Sequence, residues 1–159
     1  MKKNRLSDLL LFVVGAELIG VLSSVASGGR FGEFYGTLVK PPLSPPGWLF
    51  PIVWAVLYAL MGVSAYLVYI RNDARKALRV YYAQLAVNFL WSPVFFGLRK
   101  IWLAAVVITV LIVLVVIMIV RFGKIRRAAA VLNIPYLIWL IYAAYLNFGT
   151  AVLNPLSHR

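Results

Sequence analysis

Cysteine is absent from the 159 residues, and histidine occurs once, at His158 beside the chain end. Without thiols there is no disulfide framework, no thiolate nucleophile and no Cys-ligated metal. One imidazole cannot assemble a His pair or a metal cluster, so no metal site is expected. Acidic residues are nearly as scarce, four against 16 Lys and Arg, for a formal charge of +12. Charged residues of both signs make up only 13% of the chain, while 64% is hydrophobic and mean hydropathy reaches +0.92. Globular domains run near half apolar and a quarter charged, so a water-soluble domain is excluded. Disorder is excluded by the same figures, because it needs low hydrophobicity and high charge. No internal repeat or low-complexity tract is visible. A single integral membrane domain remains, provided the apolar residues gather into runs that cross a core of roughly 30 Å.

Five such runs are bounded by charges. The first, about 6–27, carries Asp8 near its mouth and Glu17 near its middle; the second, 48–70, is 23 uncharged residues. The third, 80–98, has 19 and the fourth, 101–120, has 20, almost all Val, Ile, Leu and Ala. The fifth is placed at 128–153, ending before Asn154 and Pro155. At 1.5 Å per residue these lengths span roughly 29 to 35 Å, and alternating short barrel strands are absent. The expectation is an all-α integral membrane protein, residues 1–159 forming one bundle of five transmembrane helices. The basic start (Lys2, Lys3, Arg5) and the small residues Ala26, Ser27, Gly28 and Gly29 imitate a signal peptide. A run of about twenty residues followed by four more favours a retained first span.

Connections between the runs are short except for 28–47, which is glycine-rich in its first half and carries Pro41, Pro42, Pro45 and Pro46 in its second. A long loop in a compact domain is usually functional, and its proline half should be stiff and extended. Eleven of the 16 basic residues fall on the side of the N-terminus and five on the side of that loop. The positive-inside rule then places the N-terminus in the cytoplasm of a plasma-membrane protein and the loop outside. The basic residues face lipid headgroups, so the bilayer, and not nucleic acid, is the expected partner.

Polar and aromatic residues enter the bilayer in three stripes. Gln84, Asn88 and Trp91 fall at i, i+4 and i+7 of the third run, with Pro93 just beyond. Trp54, Tyr58, Met61 and Ala65 share one face of the second, and Pro135, Trp139, Ala143 and Asn147 follow at i+4 steps in the fifth. A headgroup belt accounts for Trp48, Trp102 and Tyr69 but poorly for Trp54 and Trp139, which lie deep in their runs. Two readings stay open: polar side chains bonding neighbouring helices around an aromatic core, or walls of a pocket for a flat apolar ligand. Glu17 likewise reads either as a protonated packing residue or as the partner of a proton or a ligand amine. Alone it makes no acid/base site.

Several segments then resemble one family. Phe34-Tyr35-Gly36-Thr37-Leu38-Val39-Lys40-Pro41, Pro45-Pro46-Gly47-Trp48, Val53-Trp54-Ala55-Val56-Leu57-Tyr58 and Met61-Gly62 are similar to the first loop and second helix of the translocator protein family, also called the tryptophan-rich sensory protein or peripheral benzodiazepine receptor family. So are Ala83-Gln84-Leu85-Ala86-Val87-Asn88-Phe89 with Trp91, Pro93 and Phe95-Phe96-Gly97, and Pro135-Tyr136-Leu137 with Trp139 and Leu146-Asn147-Phe148. The likeness runs in order from Gly15 to Phe148.

The resemblance implies a five-helix bundle, often a homodimer, that binds protoporphyrin IX, haem and synthetic ring compounds beneath the first loop. By the same resemblance the ligand contacts fall on Ser24, Trp54, Tyr58, Asn88, Trp139 and Ala143. Gln84 and Trp91 join them from the stripe on the third run. The implied function is a receptor or carrier of tetrapyrroles in stress, oxygen or light sensing, the tetrapyrrole being ligand and no cofactor being required. Two alternatives stay open: an enzyme degrading porphyrin with light and oxygen through Trp54 and Trp139, and a small transporter of another hydrophobic compound. Leu43 stands where the family's loop Trp usually lies. Phe148 replaces the Tyr of the sterol-recognition pattern, and no basic residue follows it before Arg159, so sterol binding through that pattern is not expected.

Overall fold

Each apolar run marked by its flanking charges becomes helix, because a chain in hydrocarbon must satisfy its own backbone hydrogen bonds. The computed structural model describes residues 5–29, 31–71 and 74–155; His158 and Asn72 lie outside them. Helix α1 is Arg5–Ala26 and ends at Gly28 and Gly29, both left-handed with φ of 83° and 64°. A seven-residue helix α2, Phe31–Thr37, opens the long loop, and α3 is Leu49–Tyr69. Helix α4, Ala74–Ser92, passes directly into a π-helical turn, Pro93–Gly97, where Leu98 N–H donates to the Pro93 carbonyl at 2.8 Å. Helices α5 (Ile101–Ile125), α6 (Arg127–Val131) and α7 (Ile134–Leu153) complete the chain.

Among the described residues four stretches are long and apolar enough to cross a membrane: α1, α3, α5, and α6 with α7 taken together as Arg127–Leu153. This departs from the five expected spans. The third expected span, 80–98, falls on α4 and its π turn up to Gly97, but α4 starts six residues earlier, so Arg75, Lys76 and Arg79 lower its hydropathy. The fifth is divided where Leu132 and Asn133 turn between α6 and α7.

Packing centres on α5, whose Ile108, Leu111, Val115, Met118 and Phe122 are fully buried between α4 and α7. Helix α1 packs chiefly on α3. Outward faces are apolar too: Leu11, Val14, Val21 and Val25 of α1 and Ile138, Ile141 and Val152 of α7 are exposed, as lipid-facing positions should be. A second, smaller core of Phe34, Leu38, Phe95, Ile101 and Ala151 ties α2 to the π turn and the adjoining ends of α5 and α7. The proline half of the loop is held against α7: Tyr142 and Tyr145 donate to the carbonyls of Leu43 and Pro42 at 2.5 and 2.7 Å. Asn154 brackets Val39, accepting from its N–H at 3.0 Å and donating to its carbonyl at 2.8 Å.

Candidate functional site

Beneath α2 the loop-side halves of α1, α3 and α4 enclose a cavity of about 450 Å³, within the range of small-molecule sites. Helix periodicity selects its walls. On α1, Glu17, Gly20, Val21 and Ser24 at i, i+3, i+4 and i+7 face it; on α3, Pro51, Trp54, Ala55 and Tyr58 repeat that spacing. Asn88, Trp91 and Ser92 come from α4, Phe96 from the π turn, and Phe31, Gly32 and Tyr35 from α2 above. Val21, Val25, Pro51 and Ala55 are also exposed, so the gap between α1 and α3 reaches the apolar outer surface.

Seven aromatic side chains contribute to the walls. Trp54 lies against Tyr58 with centroids 5.6 Å apart and meets the edge of Tyr136 at 6.2 Å. Trp91 stacks on Phe95 at 5.3 Å, and its Nε1 donates to Asn147 Oδ1 at 2.9 Å, which fixes the indole. Tyr35 donates to the Pro45 carbonyl at 3.5 Å, and burial raises its hydroxyl pKa above the ordinary tyrosine value.

A buried polar chain leads inward from the cavity. The Tyr58 hydroxyl donates to Asn88 Oδ1, and Asn88 Nδ2 donates to the Tyr136 hydroxyl at 2.6 Å. Tyr136 in turn donates to Gln84 Oε1 at 2.8 Å, and Gln84 Nε2 ends the chain at the Met61 sulfur, 3.6 Å away. Tyr136 and Gln84 are completely buried, so these bonds replace the water that such groups would otherwise need.

Of the residues singled out from the sequence, Ser24, Trp54, Tyr58, Asn88 and Trp91 are brought together in the cavity wall. Gln84 lies farther along the polar chain and is not on that surface. Trp139 stands behind the wall, its ring edge-on to Phe50 at 5.8 Å and to Tyr142 at 5.4 Å, with its buried Nε1 lacking a hydrogen-bond partner among the described residues. Ala143 borders a separate void of about 30 Å³ that Phe50 and Trp91 divide from the main cavity. Leu43 is 83% exposed at φ 64° and is not among the lining residues. Sequence reading missed Gly20, Tyr35, Phe50 and Phe96 in this role. The α1 residues carry a recoverable signal, since Ser24 and Glu17 are seven apart on one face.

The model of the TspO/MBR family matches residues 11–153. The chain is 37% identical over 147 residues to the tryptophan-rich sensory protein of Cereibacter sphaeroides, covering 92% of this chain and 93% of that protein. It is 36% identical over 141 residues to the tryptophan-rich protein TspO of Chlorobaculum tepidum, covering 86% and 89%. The translocator protein of Bos taurus is 32% identical over 142 residues, covering 86% and 84%.

Proposed function

The chain belongs to the TspO/MBR family of membrane proteins, and from that premise we propose that it is a receptor or carrier for tetrapyrroles, protoporphyrin IX and haem among them, and for related flat hydrophobic ligands. The observation that carries this reading is the cavity of about 450 Å³ between α1, α3, α4 and α2, walled by Trp54, Tyr58, Trp91 and Phe96. A wall rich in aromatic rings suits a flat conjugated ligand, and the gap between α1 and α3 admits one dissolved in the bilayer.

The reading includes five crossings of the plasma membrane, with α4 as the fifth. Its basic residues Arg75, Lys76 and Arg79 lie in its first turns, where long cationic side chains extend to the headgroups. The basic asymmetry puts that end and the N-terminus in the cytoplasm, and two copies pair through apolar outer faces. The natural lack of cysteine gives a direct check of orientation. Gly32 and Arg75 are both exposed, on opposite ends of the bundle. On intact cells an impermeant maleimide should label Gly32→Cys, and should label Arg75→Cys only after permeabilisation. The opposite order would invert the topology.

Ligand binding is tested by quenching of tryptophan fluorescence on titration with protoporphyrin IX and with haem, using protein in nanodiscs. A stacked ring contributes about 0.5 to 1.5 kcal/mol and phenylalanine keeps part of it, so Trp54→Phe should weaken binding by about twofold to fivefold. Trp139→Phe, acting only through Phe50, should do less. Trp102→Phe, exposed on α5 and away from the cavity, should leave affinity unchanged. Equal effects from all three would remove the ligand from this cavity.

A further inference from the structure

Glu17 is the unusual member of the cavity wall. It sits in the middle of α1, half-buried, with its side chain on the cavity, and among the described residues it has neither a hydrogen-bond nor an ion-pair partner. A carboxyl at such depth is costly unless something compensates it. None of the described lining residues is Lys, Arg or His. Three donors of the wall are committed elsewhere. The Tyr58 proton goes to Asn88, Ser23 donates to the Phe89 carbonyl at 2.8 Å, and Trp91 Nε1 is bound to Asn147. Towards the space between α1 and α3, Tyr58 therefore offers lone pairs and Glu17 its carboxyl oxygens. Among the described lining residues this cavity therefore holds a carboxyl and no positive charge to match it.

We infer that Glu17 makes the cavity a binding site for organic cations: flat, apolar compounds that carry a protonated nitrogen. The nitrogen supplies Glu17 with its missing partner in a charge-assisted hydrogen bond, while the ring system lies on Trp54 and Tyr58, whose faces also attract positive charge. Tetrapyrrole propionates are anions and meet the opposite electrostatics at Glu17, so this class is distinct from the one proposed above. The inference rests on that reading only in taking the cavity as a ligand site.

The test compares 9-aminoacridine, a flat tricyclic cation at neutral pH, with acridine, its neutral parent. Both are titrated into the full-length protein in phosphatidylcholine nanodiscs, with empty nanodiscs subtracted. The wild type should bind the cation about tenfold more tightly, the gain of one charge-assisted bond after desolvation. Glu17→Gln should abolish that preference while leaving acridine affinity and helical circular dichroism unchanged, and Glu17→Asp should restore part of it. Equal binding of the two probes to the wild type, or a preference that survives Glu17→Gln, would overturn the inference. A parallel protoporphyrin IX titration separates the two readings. Porphyrin binding without the acridine preference removes only the role of Glu17, and the preference without porphyrin binding removes only the tetrapyrrole reading.

Discussion

Gly62→Val is expected to destabilise the protein by about 3 kcal/mol, at the upper end of what overpacking costs. A Cβ at residue 62 would fall 2.5 Å from Val13 Cα, 2.8 Å from the Phe12 carbonyl oxygen and 2.9 Å from Val13 N. All three are backbone atoms, which no rotamer change can move, so α1 and α3 would have to separate along their shared seam. Small residues at such crossings let membrane helices approach closely enough for dispersion and weak polar contacts to hold them. Separation would also displace the wall formed by Glu17 and Ser24. Thermal unfolding in detergent, followed by circular dichroism, should rank Gly62→Val below Gly62→Ala and both below wild type. Gly15 lies on the same helix as Val13 with nothing within 4 Å of its would-be Cβ, so Gly15→Val is the control. A melt for Gly62→Val matching that of Gly15→Val would show that the two helices do not meet at this glycine.

Charges located the helices well and their ends poorly, for one reason. An apolar run stops at the first charge, but a helix does not have to. Helix α4 begins at Ala74 ahead of Arg75 and Lys76, and α5 continues through Arg121 and Lys124 to Ile125. Outside the hydrocarbon such side chains are solvated without cost to the backbone pattern. The turn between α6 and α7 was concealed by unbroken hydropathy. Only Asn133, whose Nδ2 donates to the Ala129 carbonyl at 2.9 Å and also to Ser64 Oγ, together with Pro135 close behind, marks it. Helix α2 has just seven residues, two of them Gly32 and Gly36. It is too short to hold by propensity alone, and Phe34 anchors it edge-on to Phe95 at 6.1 Å.

Within the candidate site, periodicity gave the correct face and not the depth. Trp54 with Tyr58, and Asn88 with Trp91, share helix faces that do reach the cavity. Gln84 shares the face of Asn88 but lies one turn farther on, joined to Asn88 through Tyr136. Trp139 and Ala143 face inward from α7, yet Phe50 stands between them and the larger space. Which inward-facing residue meets a cavity depends on the spacing between helices and on what the loop inserts, and neither is encoded in one helix's pattern. The contribution of α1 was obscured because Gly20 and Val21 carry no chemistry of their own and gain importance only beside Tyr58, whose ring occupies the space a Cβ on Gly20 would need.

The polar chain makes the strongest demand on a single side chain at Asn88, which accepts from Tyr58 and donates to Tyr136 while only 4% exposed. Asn88→Leu removes both bonds, leaves the Tyr58 proton without an acceptor and deprives Tyr136 of its donor. Stranding buried hydroxyls is penalised more than the loss of the bonds themselves, and a destabilisation of about 2 to 3 kcal/mol is expected. Tyr58→Phe alone should cost about 1 to 2 kcal/mol by leaving Asn88 Oδ1 unmatched. The double variant Tyr58→Phe/Asn88→Leu places two apolar groups where two partners stood, so its loss should fall short of the sum of the single losses by about 1 kcal/mol or more. That shortfall, measured by denaturation of all four proteins in one detergent, is the signature of a chain acting as a unit. Strict additivity would mean that Tyr58 and Asn88 stabilise the bundle independently. The inner end of the cavity would then be held by helix packing alone, with no hydrogen-bonded floor beneath a ligand.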